Sequence, residues 1–76
     1  MKIYLGGHLN FYHPDKEKWL EIELKSDTLL MDILAGSGIP SGEVHLVVVN
    51  GEAAELEGMV VSDQDEVKLF SAAGGG

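Results

Sequence analysis

The sequence predicts an α+β domain, a mixed sheet of four to five strands with one main helix packed on one face. Three observations predict it. Alternating apolar patterns mark strands near both ends of the chain, one short helical run lies between them, and an Asn50-Gly51 turn joins two extended segments in the second half. With a single helix, the simplest layering leaves the other sheet face open.

Met1 to Phe11 places Ile3, Leu5, Leu9 and Phe11 in one register, with Gly7 in step. That is a period-two strand, with a bend expected at Gly6-Gly7. His13-Pro14-Asp15-Lys16 is a turn, because proline fixes φ and aspartate caps it. Leu20, Ile22 and Leu24 alternate with Glu21, Glu23 and Lys25, the pattern of a half-buried strand that closes an antiparallel hairpin with the first. Ser26-Asp27-Thr28 offers helix caps, with Thr28 as the cap and Leu29 as the first helical residue. Leu30, Ile33 and Leu34 then share a face. Gly36-Ser37-Gly38 ends the helix and Pro40 forbids its resumption.

Val44 to Val49 is nearly continuous apolar sequence and predicts a central strand buried on most of both faces. Glu52 to Glu55 reads as a short polar strand pairing back across the turn. Leu56 to Val61 reads as loop and short extended segment, and Ser62-Asp63-Gln64-Asp65 as another turn. Glu66 to Phe70 is the last strand, with Val67 and Leu69 inward and Phe70 turned the other way. Phe70 there is either an anchor for a partner or a lid over the core edge.

Composition bounds the function. Seventy-six residues allow one domain with one small core. There is no cysteine, so disulfides, thiolate metal sites and cysteine nucleophiles are excluded. Thirteen acids against five bases give a formal charge of −8, which argues against nucleic acid and for partners with basic surfaces. No stretch has the length of a membrane span, and the first apolar segment is too short for a secretion signal, so a cytoplasmic protein is expected.

The side chains offer no catalytic cluster. His8, His13 and His45 lack metal-ligand spacing and read as structural or exposed, so no metal is expected. Asp63 and Asp65 lack the later ligands of a calcium loop. Glu52, Glu55 and Glu57 read as a solvated face. Gly36-Ser37-Gly38 follows a helix instead of preceding one, so it cannot cradle a phosphate at a helix start.

The remaining feature is the tail. Residues 1–70 read as the folded domain and 71–76 as a flexible glycine tail. Gly74, Gly75 and Gly76 have no side chains to pack and are costly to order. Such a slim segment suits threading into a partner's channel, Gly76 carboxylate first. A linker stub or cloning scar would also carry a glycine run. Phe70, Ser71, Ala72, Ala73 and Val47 are the candidate partner contacts.

Taken in order, these segments resemble the sulfur-carrier proteins of ubiquitin-like β-grasp fold, above all the small subunit of molybdopterin synthase and next the thiamine-pathway carrier. The resemblance rests on Met1-Lys2-Ile3, Leu9-Asn10-Phe11-Tyr12, Ser26-Asp27-Thr28, Ser37-Gly38-Ile39-Pro40, Val48-Val49-Asn50-Gly51, Ser62-Asp63-Gln64-Asp65-Glu66-Val67, and Leu69-Phe70 through Gly75-Gly76. Ser71, Ala72 and Ala73 stand where the molybdopterin carriers have two prolines and a valine; the triple glycine is closer to the thiamine carrier. The resemblance implies a protein that is not itself an enzyme. A ubiquitin-activating-like adenylyltransferase would use ATP and magnesium to adenylate Gly76. A sulfur donor would convert it to a thiocarboxylate, and a synthase subunit would accept the sulfur. This chain would bind no cofactor; any zinc would belong to the partner. The implied pathway is molybdopterin or tungstopterin synthesis, with thiamine thiazole synthesis as the alternative. A ubiquitin-like protein modifier and a non-catalytic binding module are the other readings.

Overall fold

A computed structural model describes residues 1–72. The elements run β1 (Lys2–Gly6), β2 (Trp19–Glu21), β3 (Thr28–Leu29), α1 (Leu30–Ser37), β4 (Leu46–Val49), β5 (Glu52–Ala54), β6 (Val60–Val61) and β7 (Glu66–Phe70), with single 3-10 turns at Leu9–Tyr12 and Ser41–Glu43. Five strands form a mixed sheet in the order β2-β1-β7-β4-β5, and β3 pairs with β6 in a separate two-stranded ladder. The first and last long strands, β1 and β7, run parallel through its middle; all other pairs are antiparallel. This is the expected α+β class, a ubiquitin-like β-grasp.

The core lies between one sheet face and α1. Ile3, Leu5, Val47, Val67 and Leu69 come from the sheet; Leu30, Ile33 and Leu34 come from the helix, and Leu9, Ile39 and Val61 close the sides. The helix has only eight residues and gains its stability from this packing. It stops where the sequence says it must. Gly38 adopts a left-handed φ of 74°, its N–H reaches the Ala35 carbonyl, and the Ile39 N–H reaches Leu34. This is the Schellman pattern, and it puts Ile39 into the core beside Leu34.

The helix start differs from expectation. Thr28 is not a side-chain cap and Leu29 is not helical; both lie in β3, opposite Val61 and Val60. The Thr28 hydroxyl bonds to the Ser26 carbonyl, and the Leu30 N–H is satisfied by the Met59 carbonyl. A strand pair does the work of a cap.

The first strand is also shorter than its alternation suggests. It stops at Gly6, the chain turns through Gly7 at φ +64°, and residues 9–12 form a 3-10 turn. Leu9 is still buried, but Phe11 is 63% exposed, with the Lys16 ammonium 4.5 Å from its ring centroid. The second strand spans Trp19–Glu21, and Ile22 extends the pairing by donating its N–H to the Met1 carbonyl and accepting from the Met1 ammonium; Leu20, Ile22 and Leu24 are all half-buried as expected. Beyond it, Asp63 accepts the Leu24 N–H.

Val44 to Val49 supplies an interior strand as expected, with β4 between β7 and β5. β4 is not buried on both faces, however: Val47 is 3% exposed and its neighbour Leu46 is 47% exposed. The apolar run is continuous because the outward face of the sheet is itself apolar here. Asn50-Gly51 turns the chain into β5 as expected, both residues at positive φ.

Candidate functional site: the tail exit and the open sheet face

Residues paired across a ladder share a face, so the register defines the surface opposite the helix. One row runs Trp19, Tyr4, Lys68, Val48 and Ala53; the next contains Gly6, Phe70 and Leu46. Tyr4 and Trp19 meet edge-on at 5.1 Å between centroids, and Tyr4 lies 6.0 Å from Phe70. Trp19 is 42% exposed. An aromatic and aliphatic strip thus crosses the open face with one lysine at its centre.

Phe70 belongs to this strip because Gly6 makes room for it. A Cβ on Gly6 would lie 2.5 Å and 2.8 Å from two Phe70 ring carbons. The ring therefore lies across the neighbouring strand, half-buried.

One residue further, the chain is pinned. Ser71 is only 8% exposed. Its Oγ accepts the His8 backbone N–H at 3.1 Å and lies 3.3 Å from His8 Nδ1. On the other side, the Phe70 carbonyl accepts the His45 N–H at 2.8 Å. The end of β7 is thus held by the turn after β1 and by the residue before β4. Ala72 is exposed. Ala73, Gly74, Gly75 and Gly76 lie outside the described residues.

The candidate contacts sort accordingly. Val47 is a correction: it faces the helix and is sealed in the core, so it is not available to a partner. Its register was opposite to the one a sheet-face contact needs. The Ser71 hydroxyl is turned inward. Phe70 lies on the open face, and Ala72 follows it. Sequence reasoning missed Tyr4, Trp19, Leu46 and Val48. Their signal was present, as apolar and aromatic residues at the positions that alternate with Ile3, Leu5, Val47 and Val49.

The polar groups lie elsewhere. Asp63 and Asp65 sit in the turn before β7, at its far end from Ser71. The Leu24 N–H and the Met1 ammonium hold the Asp63 carboxyl below the usual range. The Ser62 N–H and the Asn50 amide do the same for Asp65. Two surface depressions flank Met1 at that same end. His13, Asp15 and Glu17 offer ligand atoms within 4.8 Å of one another, a proximity that the spacing argument overlooked. They stand on an exposed turn, and the His13 Nδ1 already accepts the Asp15 N–H. Among the described residues no helix is long and apolar enough to cross a membrane.

The family model of the Mut7-C ubiquitin family matches residues 1–72. The chain belongs to that family. As a Mut7-C ubiquitin domain it has the ubiquitin-like fold that the sequence implied, and the match covers the pinned end of β7 together with the whole open face. The match does not single out the molybdopterin or thiamine carriers among ubiquitin-like proteins. Searches of curated proteins and of solved structures give no match.

Proposed function

We propose that this Mut7-C ubiquitin domain is a sulfur carrier that docks through its open sheet face and presents Gly76 to a partner's active site. The observation that carries the reading is the pinned exit: the chain leaves the domain at Ser71, immediately beside the Phe70–Tyr4–Trp19 strip. A partner that covers the strip receives the following residues at a fixed point. The strip supplies affinity through aromatic burial, and the tail supplies the reacting group.

The chemistry needs a free carboxylate on Gly76. That carboxylate attacks the α-phosphorus of ATP on the adenylyltransferase and pyrophosphate leaves. A persulfide sulfur then adds to the acyl carbon and AMP leaves. A thiol cleaves the resulting acyl disulfide by exchange, which releases a Gly76 thiocarboxylate and oxidises the donor to a disulfide. The synthase subunit takes the sulfur, most naturally for a molybdopterin or tungstopterin precursor, with thiazole as the alternative acceptor. ATP and magnesium serve the partner. Glycine at 74, 75 and 76 keeps the threaded segment narrow.

The second reading is a non-catalytic binding module acting through the same face. It is favoured by the extent of the family match, which ends at Ala72 and leaves the glycines out. A protein modifier would share the activation step and differ in its product, an isopeptide bond. The product, a free thiocarboxylate or an isopeptide bond, separates carrier from modifier; activation of a chain extended by one residue after Gly76 separates both from the module. The carrier reading expects no adenylate from the extended chain and normal adenylate from the original; equal adenylation of both contradicts it.

A further inference from the structure

Ser71 is the one buried polar side chain among the described residues. Neither the carrier nor the module reading requires a side chain at this position, yet the turn after β1 is shaped around it. Gly7 has a φ of +64°, which favours glycine on its own. A Cβ on Gly7 would also overlap the Ser71 hydroxyl and sit 3.2 Å from the Ser71 Cβ and backbone N. The space vacated by the missing side chain of Gly7 is filled by Ser71. The hydroxyl there receives the His8 N–H at 3.1 Å, while the residue before it is held through its carbonyl by His45.

We propose that Ser71 is a positioning residue for the adenylation step: pinned by the Gly7–His8 turn, it sets the point from which residues 72–76 reach into the activating partner. The inference rests on the carrier reading. Five residues span at most about 18 Å when fully extended, so the α-phosphorus of the partner's ATP lies within about that distance of the Ser71 pin. Releasing Ser71 moves the last fixed point back to Phe70. The reach then grows by one residue, and the carboxylate samples more positions per productive one. Docking is untouched, because the sheet-face strip does not include the hydroxyl.

The test is ATP–pyrophosphate exchange supported by the full chain with adenylating enzymes purified from its own cells, comparing wild type, Ser71→Ala, and a chain with one glycine inserted after Ala72. The expected result is an unchanged KM for all three and a kcat about tenfold lower for Ser71→Ala, the scale of restoring one residue's backbone freedom. The insertion also lowers kcat, although it leaves the pin intact. Hydrogen exchange at the His8 amide reports the pin itself: slow in wild type and in the insertion, faster in Ser71→Ala. A Ser71→Ala chain that loses His8 protection and keeps wild-type kcat overturns the proposal, as does a wild-type His8 amide that exchanges as fast as the variant's. Absence of exchange with wild type and every adenylating enzyme is a different failure; it removes the carrier reading and the positioning role with it.

Discussion

The ring of Phe70 lies across Gly6 on the parallel neighbouring strand, close enough that any Cβ there would press into it. This joins the two central strands on the open face at the point where the chain leaves the sheet. Gly6→Ala is expected to displace the ring and cost about 1–3 kcal/mol, as overpacking does. Denaturant unfolding followed by Trp19 fluorescence checks it. An unchanged midpoint would mean that the ring moves aside freely.

The acidic turn before β7 predicts a pH response. Asp63 and Asp65 both have carboxyls held below their ordinary value of 3.8. Their contribution to stability is therefore fully present above that value and is lost as pH falls through the lower folded values. Asp65→Asn should remove part of this acid-limb slope, because the amide cannot reproduce the charged acceptor for the Ser62 N–H. Unfolding curves from pH 6 downward, wild type against variant, measure it; parallel curves would contradict the assignment.

Asn50 gives a third prediction. Its φ of 51° is tolerated by asparagine, and its side chain both donates to Asp65 and accepts the Glu66 N–H. Asn50→Ala loses both bonds and the left-handed preference, for an expected loss of about 1–3 kcal/mol. Asn50→Gly keeps the backbone geometry and should lose less. Thermal unfolding of the pair separates the two contributions.

Trp19 and Leu46 are exposed large hydrophobic side chains of the strip. Trp19→Ala and Leu46→Ser are expected to change domain stability by less than about 1 kcal/mol and, under the proposed carrier function, to weaken binding to an adenylating partner by tenfold or more. Val47→Ser, by contrast, should destabilise the domain, because Val47 faces the core. Calorimetric affinities alongside unfolding midpoints distinguish the two classes.

Local chemistry explains what the sequence made legible. Leu30, Ile33 and Leu34 at helical spacing, a helix end within Gly36-Ser37-Gly38, Asn50-Gly51 as a turn, and Val67 with Leu69 inward all depend on neighbours in the chain, and all stand where expected. What failed depends on distant partners. Leu9 keeps a period-two position after the strand has ended, because a 3-10 turn also returns it to the core. Thr28 reads as a cap because serine, aspartate and threonine cluster there, but Val60 and Val61, some thirty residues later, recruit it into a ladder. The uniform valines of β4 cannot say which face is core. Ser71 reads as a tail residue until Gly7, at the other end of the chain, supplies the space that buries it. For the candidate site, the outward turn of Phe70 was legible, whereas the strip containing Trp19 and Tyr4 needed the register; the call on Gly74, Gly75 and Gly76 lies outside the described residues.

The most direct test of the carrier claim is the intact mass of this protein isolated from its own cells without reducing or alkylating steps, with the C-terminal peptide sequenced by fragmentation. The account predicts a population in which one oxygen of the Gly76 carboxylate is replaced by sulfur, rising when the accepting synthase is removed. A Gly76 that remains a plain carboxylate under that condition, or one joined through its carbonyl to further residues, would contradict it.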